Sequence, residues 1–246
     1  MRIEYHRFYS GYLGREMEFK VYGHGGKPVL FIPCQGGRYV DFENFHMIDY
    51  WAKWIEEGRC TVYSIDTIDN ETYANKEGDK HWRAELHERW YNYIVEEMVP
   101  TIHHMTGAVL PIMTFGCSLG AMHAGNLFFR RPDLFGSVFG ISGIYDSEDA
   151  FGDYMDETLY RNTPCAYIPN MAWDHPYIDM YNNSKMLFVV GQGAWEDVLL
   201  ASTRRLQYVC EQKGIHAQFE YWGYDVNHDW PWWYKMVELY LPQFLY

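Results

Sequence analysis

The sequence predicts an α/β fold, a mostly parallel eight-stranded sheet with helices on both faces. Short apolar runs alternate with segments of helical period along most of the chain. Several of those runs are continuously apolar, as strands buried on both faces are. At 246 residues the chain suits one larger α/β domain and can bury a sizeable core without covalent staples.

The elements follow in order. Ile3 to Ser10 and Arg15 to Tyr22 alternate in polarity around Gly11-Tyr12-Leu13-Gly14, which predicts an antiparallel hairpin. After the loop Gly23-His24-Gly25-Gly26, the run Pro28 to Ile32 reads as a buried strand. From there the rhythm is strand, then helix. Ile48, Trp51, Trp54 and Ile55 share a helical face closed by Gly58, and Cys60 to Ile65 is the next strand. Trp82, Leu86, Trp90, Tyr93, Ile94 and Met98 predict a long amphipathic helix that Pro100 breaks or restarts. Val109 to Phe115 predicts a strand, Ala121 to Arg130 a helix stopped before Pro132, and Ser137 to Ser142 a strand. Tyr145 to Ser184 is acidic, rich in Tyr and Asn, and breaks the rhythm. It is expected to run over one edge of the sheet, as a cap beside the site. Lys185 to Val190 resumes as a strand, a helix ends at Gly214, and Ala217 to Trp222 is the last strand. Met236 to Phe244 forms the last helix, bent at Pro242. No repeat and no Pro/Ser-rich linker interrupts residues 1–246, so one domain is expected.

Composition narrows the function classes. The formal net charge is −13. Such a surface repels phosphate backbones and anionic headgroups, so neither nucleic acid nor a membrane is an expected partner. The five cysteines are odd in number, widely spaced and without a C-x-x-C pair. That pattern argues against a disulfide framework or a zinc site. Reduced thiols in a cytoplasmic protein are the expectation. Met1 to Arg7 carries no apolar h-region, so no signal peptide is expected. No run approaches the ~18 apolar residues that a membrane span needs.

One segment carries chemistry. Gly116-Cys117-Ser118-Leu119-Gly120 is a G-x-S-x-G match between a predicted strand and a predicted helix. That context puts a serine on a sharp strand-to-helix turn with its hydroxyl exposed. Glycines two residues either side tolerate the crowding that such a turn imposes. The alternative, a turn without chemistry, does not explain the strand before and the helix after.

A serine hydroxyl needs a base, usually histidine. In the α/β-hydrolase order the histidine follows the last strand, and His228 is the one histidine there. His103 and His104 suit a helix C-terminus, His24 and His216 read as surface loop residues, and His123 reads as packing. The third member orients the imidazole. It belongs after Lys185 to Val190, where Gly191-Gln192-Gly193-Ala194-Trp195-Glu196-Asp197 offers Asp197 first and Glu196 as its neighbour and rival. Asp146 is a third option, and acids at a helix start are also common caps. Two backbone donors complete an acyl-transfer site. The Leu119 N–H is one. The other belongs to Pro33-Cys34-Gln35-Gly36-Gly37-Arg38, with Gly37 preferred over Gln35 and Gly36. Trp195, Trp222, Trp230 and Trp232 flank these loops as candidate walls of an apolar pocket, or as core.

Together these residues resemble the putative-esterase family of α/β-hydrolases, which includes esterase-D-type S-formylglutathione hydrolases, feruloyl esterases and mycolyltransferases. The matching pieces are Gly116 to Ala121, Arg131-Pro132-Asp133-Leu134-Phe135, Ser142-Gly143, Gly191-x-Gly193 with an acid four residues on, and His228-x-Trp230-x-x-Trp233. The resemblance implies the α/β-hydrolase fold. It implies Ser118, Asp197 and His228 as a catalytic triad, with Gly37 and Leu119 as oxyanion donors. The expected enzyme is a serine carboxylic-ester hydrolase working through an acyl-enzyme on Ser118, on a small-molecule ester, without metal or organic cofactor. An acyltransferase with the same triad and a non-catalytic ligand-binding relative are the alternatives. A homo-oligomer is compatible with all of this.

Overall fold

A computed structural model describes residues 1–246. Eight strands form one sheet in the order β1-β2-β4-β3-β5-β6-β7-β8. They are β1 (Ile3–Ser10), β2 (Arg15–Tyr22), β3 (Lys27–Ile32), β4 (Cys60–Ile65), β5 (Ile112–Cys117), β6 (Phe135–Ile141), β7 (Lys185–Val190) and β8 (Gln218–Tyr221). β1 pairs antiparallel with β2, and β2 with β4; all other pairs are parallel. This is the α/β-hydrolase fold that the sequence predicts.

The main helices are α1 (Met47–Glu56), α2 (Lys80–Tyr93), α3 (Val99–Thr106), α4 (Leu119–Arg130), α5 (Asp197–Gln212) and α6 (Trp230–Tyr240). The long helix expected around residue 90 is two segments. Pro100 has no N–H to continue the ladder, and the chain passes the interruption through a π-helical turn at Ile94–Met98. Val109 to Pro111 fall outside β5, because pairing with β6 begins at Ile112 against Phe135.

The continuous apolar runs have a simple cause. Successive side chains on a strand point to opposite faces. Leu30 and Ile32 enter one core with residues of α2, α4 and α5, while Val29 and Phe31 enter the other with Trp51, Ile55, Met236 and Val237 of α1 and α6. Both faces are covered, so every strand position of β4 and β5 is buried.

Connectivity places the site. The strand order reverses beside β3, which has β4 on one side and β5 on the other. In open α/β sheets the crevice beyond the strand C-termini at such a reversal is the ligand site. The loop after β3 and the turn after β5 meet there. The segment 145–184 consists of short helical pieces, among them Glu148–Phe151, Glu157–Arg161, Pro164–Tyr167 and Pro176–Asn182. Its start carries Asp146, Asp149 and Ala150 to the crevice. No helix is long and apolar enough to cross a membrane.

Candidate active site

Ser118 stands between the last residue of β5 and the first of α4. Its backbone is at φ 57°, ψ −128°, a region that a serine enters only under constraint. The constraint is visible. The Ser118 N–H donates to Ile141 O in β6 at 2.8 Å, and α4 begins at the very next residue. A Cβ on Gly120 would lie 2.2 Å from Ile32 O, so only glycine lets this helix start press against β3. The Leu119 N–H, at the first helical position, has no intrahelical acceptor.

His228 reaches Ser118 from the loop before α6. Its Nε2 lies 2.9 Å from Ser118 Oγ, and its Nδ1 lies 3.4 Å from Glu196 Oε2. Glu196 is fully buried, whereas the His228 side chain is 19% exposed. The loop that carries His228 and the loop that carries Glu196 are laced to each other by backbone bonds. Gly193 N–H donates to Val226 O at 2.8 Å, and His228 N–H donates to Ala194 O at 3.0 Å. The Asn227 side chain accepts from Ala194 N–H at 2.8 Å. A Cβ on Gly193 would sit 2.4 Å from Asn227 Oδ1, so glycine is required for this approach.

Two expected positions need correction. Asp197 does not face His228. It is exposed and opens α5, while its rival Glu196 turns inward. The residue before Glu196 explains the choice: Trp195 has φ 69°, which rotates the chain so that the indole points out, 83% exposed, and the next side chain points in. Asp146 is not at His228 either; it accepts from Ser202 Oγ at 2.6 Å. Gly37 is the second correction. Its N–H is spent on Cys34 O at 2.8 Å, inside a tight turn. Gln35, two residues earlier, lines the same cavity as Ser118 and Leu119, and its N–H has no backbone acceptor.

That cavity is small, about 40 Å³. Leu119 and Met122 line it and pack with Tyr73 and Phe151 in a cluster of their own. Asp146 and Asp149 line it as well. None of the four tryptophans considered from the sequence lines it. Trp222, Trp230 and Trp232 pack against the core instead. His123 also proves structural: it is buried and bonds Asp69 Oδ1 through Nε2 at 2.8 Å. No group of three or more His, Cys, Asp or Glu side chains is arranged to hold a metal ion. Burial pushes the Cys117 thiol, next to Ser118, well above its usual range, and lifts Cys60 to about 12. Neither is a thiolate near neutral pH.

The model of the Putative esterase family matches residues 10–239. The chain belongs to that family. No curated protein matches it in sequence. Among solved structures, MPT51 of Mycobacterium tuberculosis superposes with TM-score 0.76 at 13% identity, over 100% of this chain and 98% of that one. An S-formylglutathione hydrolase from Agrobacterium tumefaciens gives TM-score 0.74 at 17% identity, over 98% of this chain and 93% of that one. A Staphylococcus aureus fluorophosphonate-binding serine hydrolase, FphF, gives 0.74 at 13% identity, over 100% and 98%. At such identities the likeness is one of fold. Three of the motif glycines, Gly116, Gly120 and Gly191, have a shared meaning: a Cβ on any of them would lie 2.4 Å or less from a backbone atom.

Proposed function

We propose that the protein is a carboxylic-ester hydrolase that forms an acyl-enzyme on Ser118. The observation that carries this reading is the 2.9 Å contact between His228 Nε2 and Ser118 Oγ, on a serine held at positive φ. Ser118 Oγ attacks the ester carbonyl while His228 Nε2 takes its proton. Glu196, at Nδ1, holds the tautomer that leaves Nε2 free to accept and stabilises the imidazolium that forms. The N–H groups of Leu119 and Gln35 donate to the oxyanion. His228 then gives its proton to the leaving alcohol. Water, deprotonated by the same nitrogen, attacks the acyl carbon; the bond to Ser118 Oγ then breaks as His228 Nε2 returns the proton to that oxygen, releasing the acid and free Ser118. The residues at this site supply a nucleophile, a base, an orienting carboxylate and two donors, and the reaction as written uses no other group.

A fluorophosphonate probe tests the reading. The folded protein is expected to carry one adduct, which peptide mapping assigns to Ser118, and to hydrolyse p-nitrophenyl acetate. A folded protein that neither labels at Ser118 nor turns over small activated esters overturns it.

A further inference from the structure

We propose that Ser142 and Trp233 are positioning residues that fix the plane of the Glu196 carboxylate. This rests on the reading of Glu196 as the partner of His228. Glu196 Oε2 faces the imidazole, and Oε1 accepts a hydrogen bond from Ser142 Oγ at 2.6 Å. The Ser142 hydroxyl in turn accepts from Trp233 Nε1 at 3.3 Å. Both Ser142 and Glu196 are fully buried, and Trp233 nearly so. The chain therefore runs indole N–H to hydroxyl, hydroxyl to carboxylate, carboxylate to imidazole.

Three features argue that this chain is more than packing. A glutamate has one more rotatable bond than an aspartate, so its backbone alone does not set the carboxylate plane. A second anchor on Oε1 does. Ser142 also sits at φ 51°, where a glycine would rest with less strain. Its N–H is pinned to Val189 O at 2.7 Å, on the strand that leads into the acid loop. A hydroxyl is kept at a position whose backbone favours no side chain. Finally, Trp233 meets the other end of the relay. Its ring stands edge-on to the His228 ring, with centroids 4.9 Å apart and planes at 86°. One indole thus braces the base with its ring system and the acid through Ser142. Ser142 and Trp233 contact no reacting atom, so their effect must pass through Glu196 and His228.

The test uses the full chain and p-nitrophenyl acetate. Ser142→Ala, Ser142→Gly and Trp233→Phe are each made alone and in a Glu196→Gln background. Ser142→Gly suits the positive φ, and Trp233→Phe keeps an aromatic ring, so between them they cover a failure of Ser142→Ala to fold. The two Ser142 variants are expected to lose tenfold or more in kcat with KM within twofold, and Trp233→Phe about threefold. In the Glu196→Gln background all three effects are expected to shrink to within twofold, because the group they act through is already neutralised. The inference is overturned if the Ser142 variants keep wild-type kcat, or lose the same factor in both backgrounds. A wild type that neither labels nor turns over sinks the esterase reading itself; a labelled, active wild type with indifferent Ser142 variants sinks only the positioning role.

Discussion

His228 Nε2 and Ser118 Oγ lie 2.9 Å apart although 110 residues separate them in the chain. The contact depends on two loops at the C-terminal edge of the sheet. One is the strained turn after β5, and the other is the loop before α6 that is laced to the loop carrying Glu196. Ser118→Ala and His228→Ala are each expected to cut kcat by about 10³-fold or more, and the double variant by little beyond either single one, because the proposed mechanism uses the pair as a unit. Steady-state kinetics on an activated ester, with circular dichroism to confirm folding, check this. Additive losses in the double variant would contradict joint action.

The two adjacent acids give a sharper prediction. Glu196 is buried at His228 Nδ1, and Asp197 is an exposed helix start. Glu196→Gln is expected to lower kcat by about 10²- to 10⁴-fold, since an amide no longer stabilises the imidazolium. Asp197→Asn is expected to stay within about twofold of wild type and to cost at most a few tenths of a kcal/mol as a lost charge at a helix start. Parallel kinetics and urea melts of the two variants decide between the acids.

This pair also marks where sequence reading stops. The order of elements, the hairpin and the strand-to-helix setting of Ser118 were legible because each rests on local pattern or on motif spacing. Glu196 over Asp197 was not, because the choice turns on the positive φ of Trp195, and nothing about a tryptophan announces that conformation. Gln35 over Gly37 failed for a related reason. Two glycines suggested an open backbone, but the turn consumes the Gly37 N–H and leaves that of Gln35 free. Ser142 entered only as part of the Ser142-Gly143 piece of the family resemblance, with no chemical role; its partners arrive from the loop after β7 and from α6, which lie far along the chain. Val109 and Leu110 are apolar and so read as the start of β5, yet both are exposed and neither pairs with β6.

The size of the cavity predicts acyl-chain preference. Leu119 and Met122 close a space of about 40 Å³ beside Ser118. Across a p-nitrophenyl ester series, kcat/KM is expected to be highest for acetyl and propionyl and to fall at least about tenfold by hexanoyl. A few unaccommodated methylenes at ~1 kcal/mol or more each suffice for that. Met122→Val, which shortens a buried side chain without emptying its site, is expected to move the optimum by one to two carbons. An unchanged profile in the variant, or a wild-type optimum at long chains, would show that the acyl group lies elsewhere.

A buried histidine is expected to contribute to the acid side of the stability curve. His87 is 1% exposed, both ring nitrogens lack a partner, and its ring packs against Tyr73, Trp90 and His123. Burial pushes its pKa well below the usual histidine range, and neighbouring His123 and Arg130 push it the same way. In the unfolded chain the same ring titrates near ~6.5. Below that pH the unfolded state binds a proton that the folded state refuses, so stability is fully present above it and declines as pH falls. One such site contributes a slope of up to about 1.4 kcal/mol per pH unit. His87→Phe keeps a flat ring among aromatic neighbours and removes the proton acceptor. It is expected to match or exceed wild-type stability at pH 5 and to flatten the curve between pH 6.5 and 5, with little change at pH 8. Urea midpoints of both proteins across that range measure the difference. Parallel curves for the two would show that His87 takes up no proton on unfolding and that the acid loss comes from other groups.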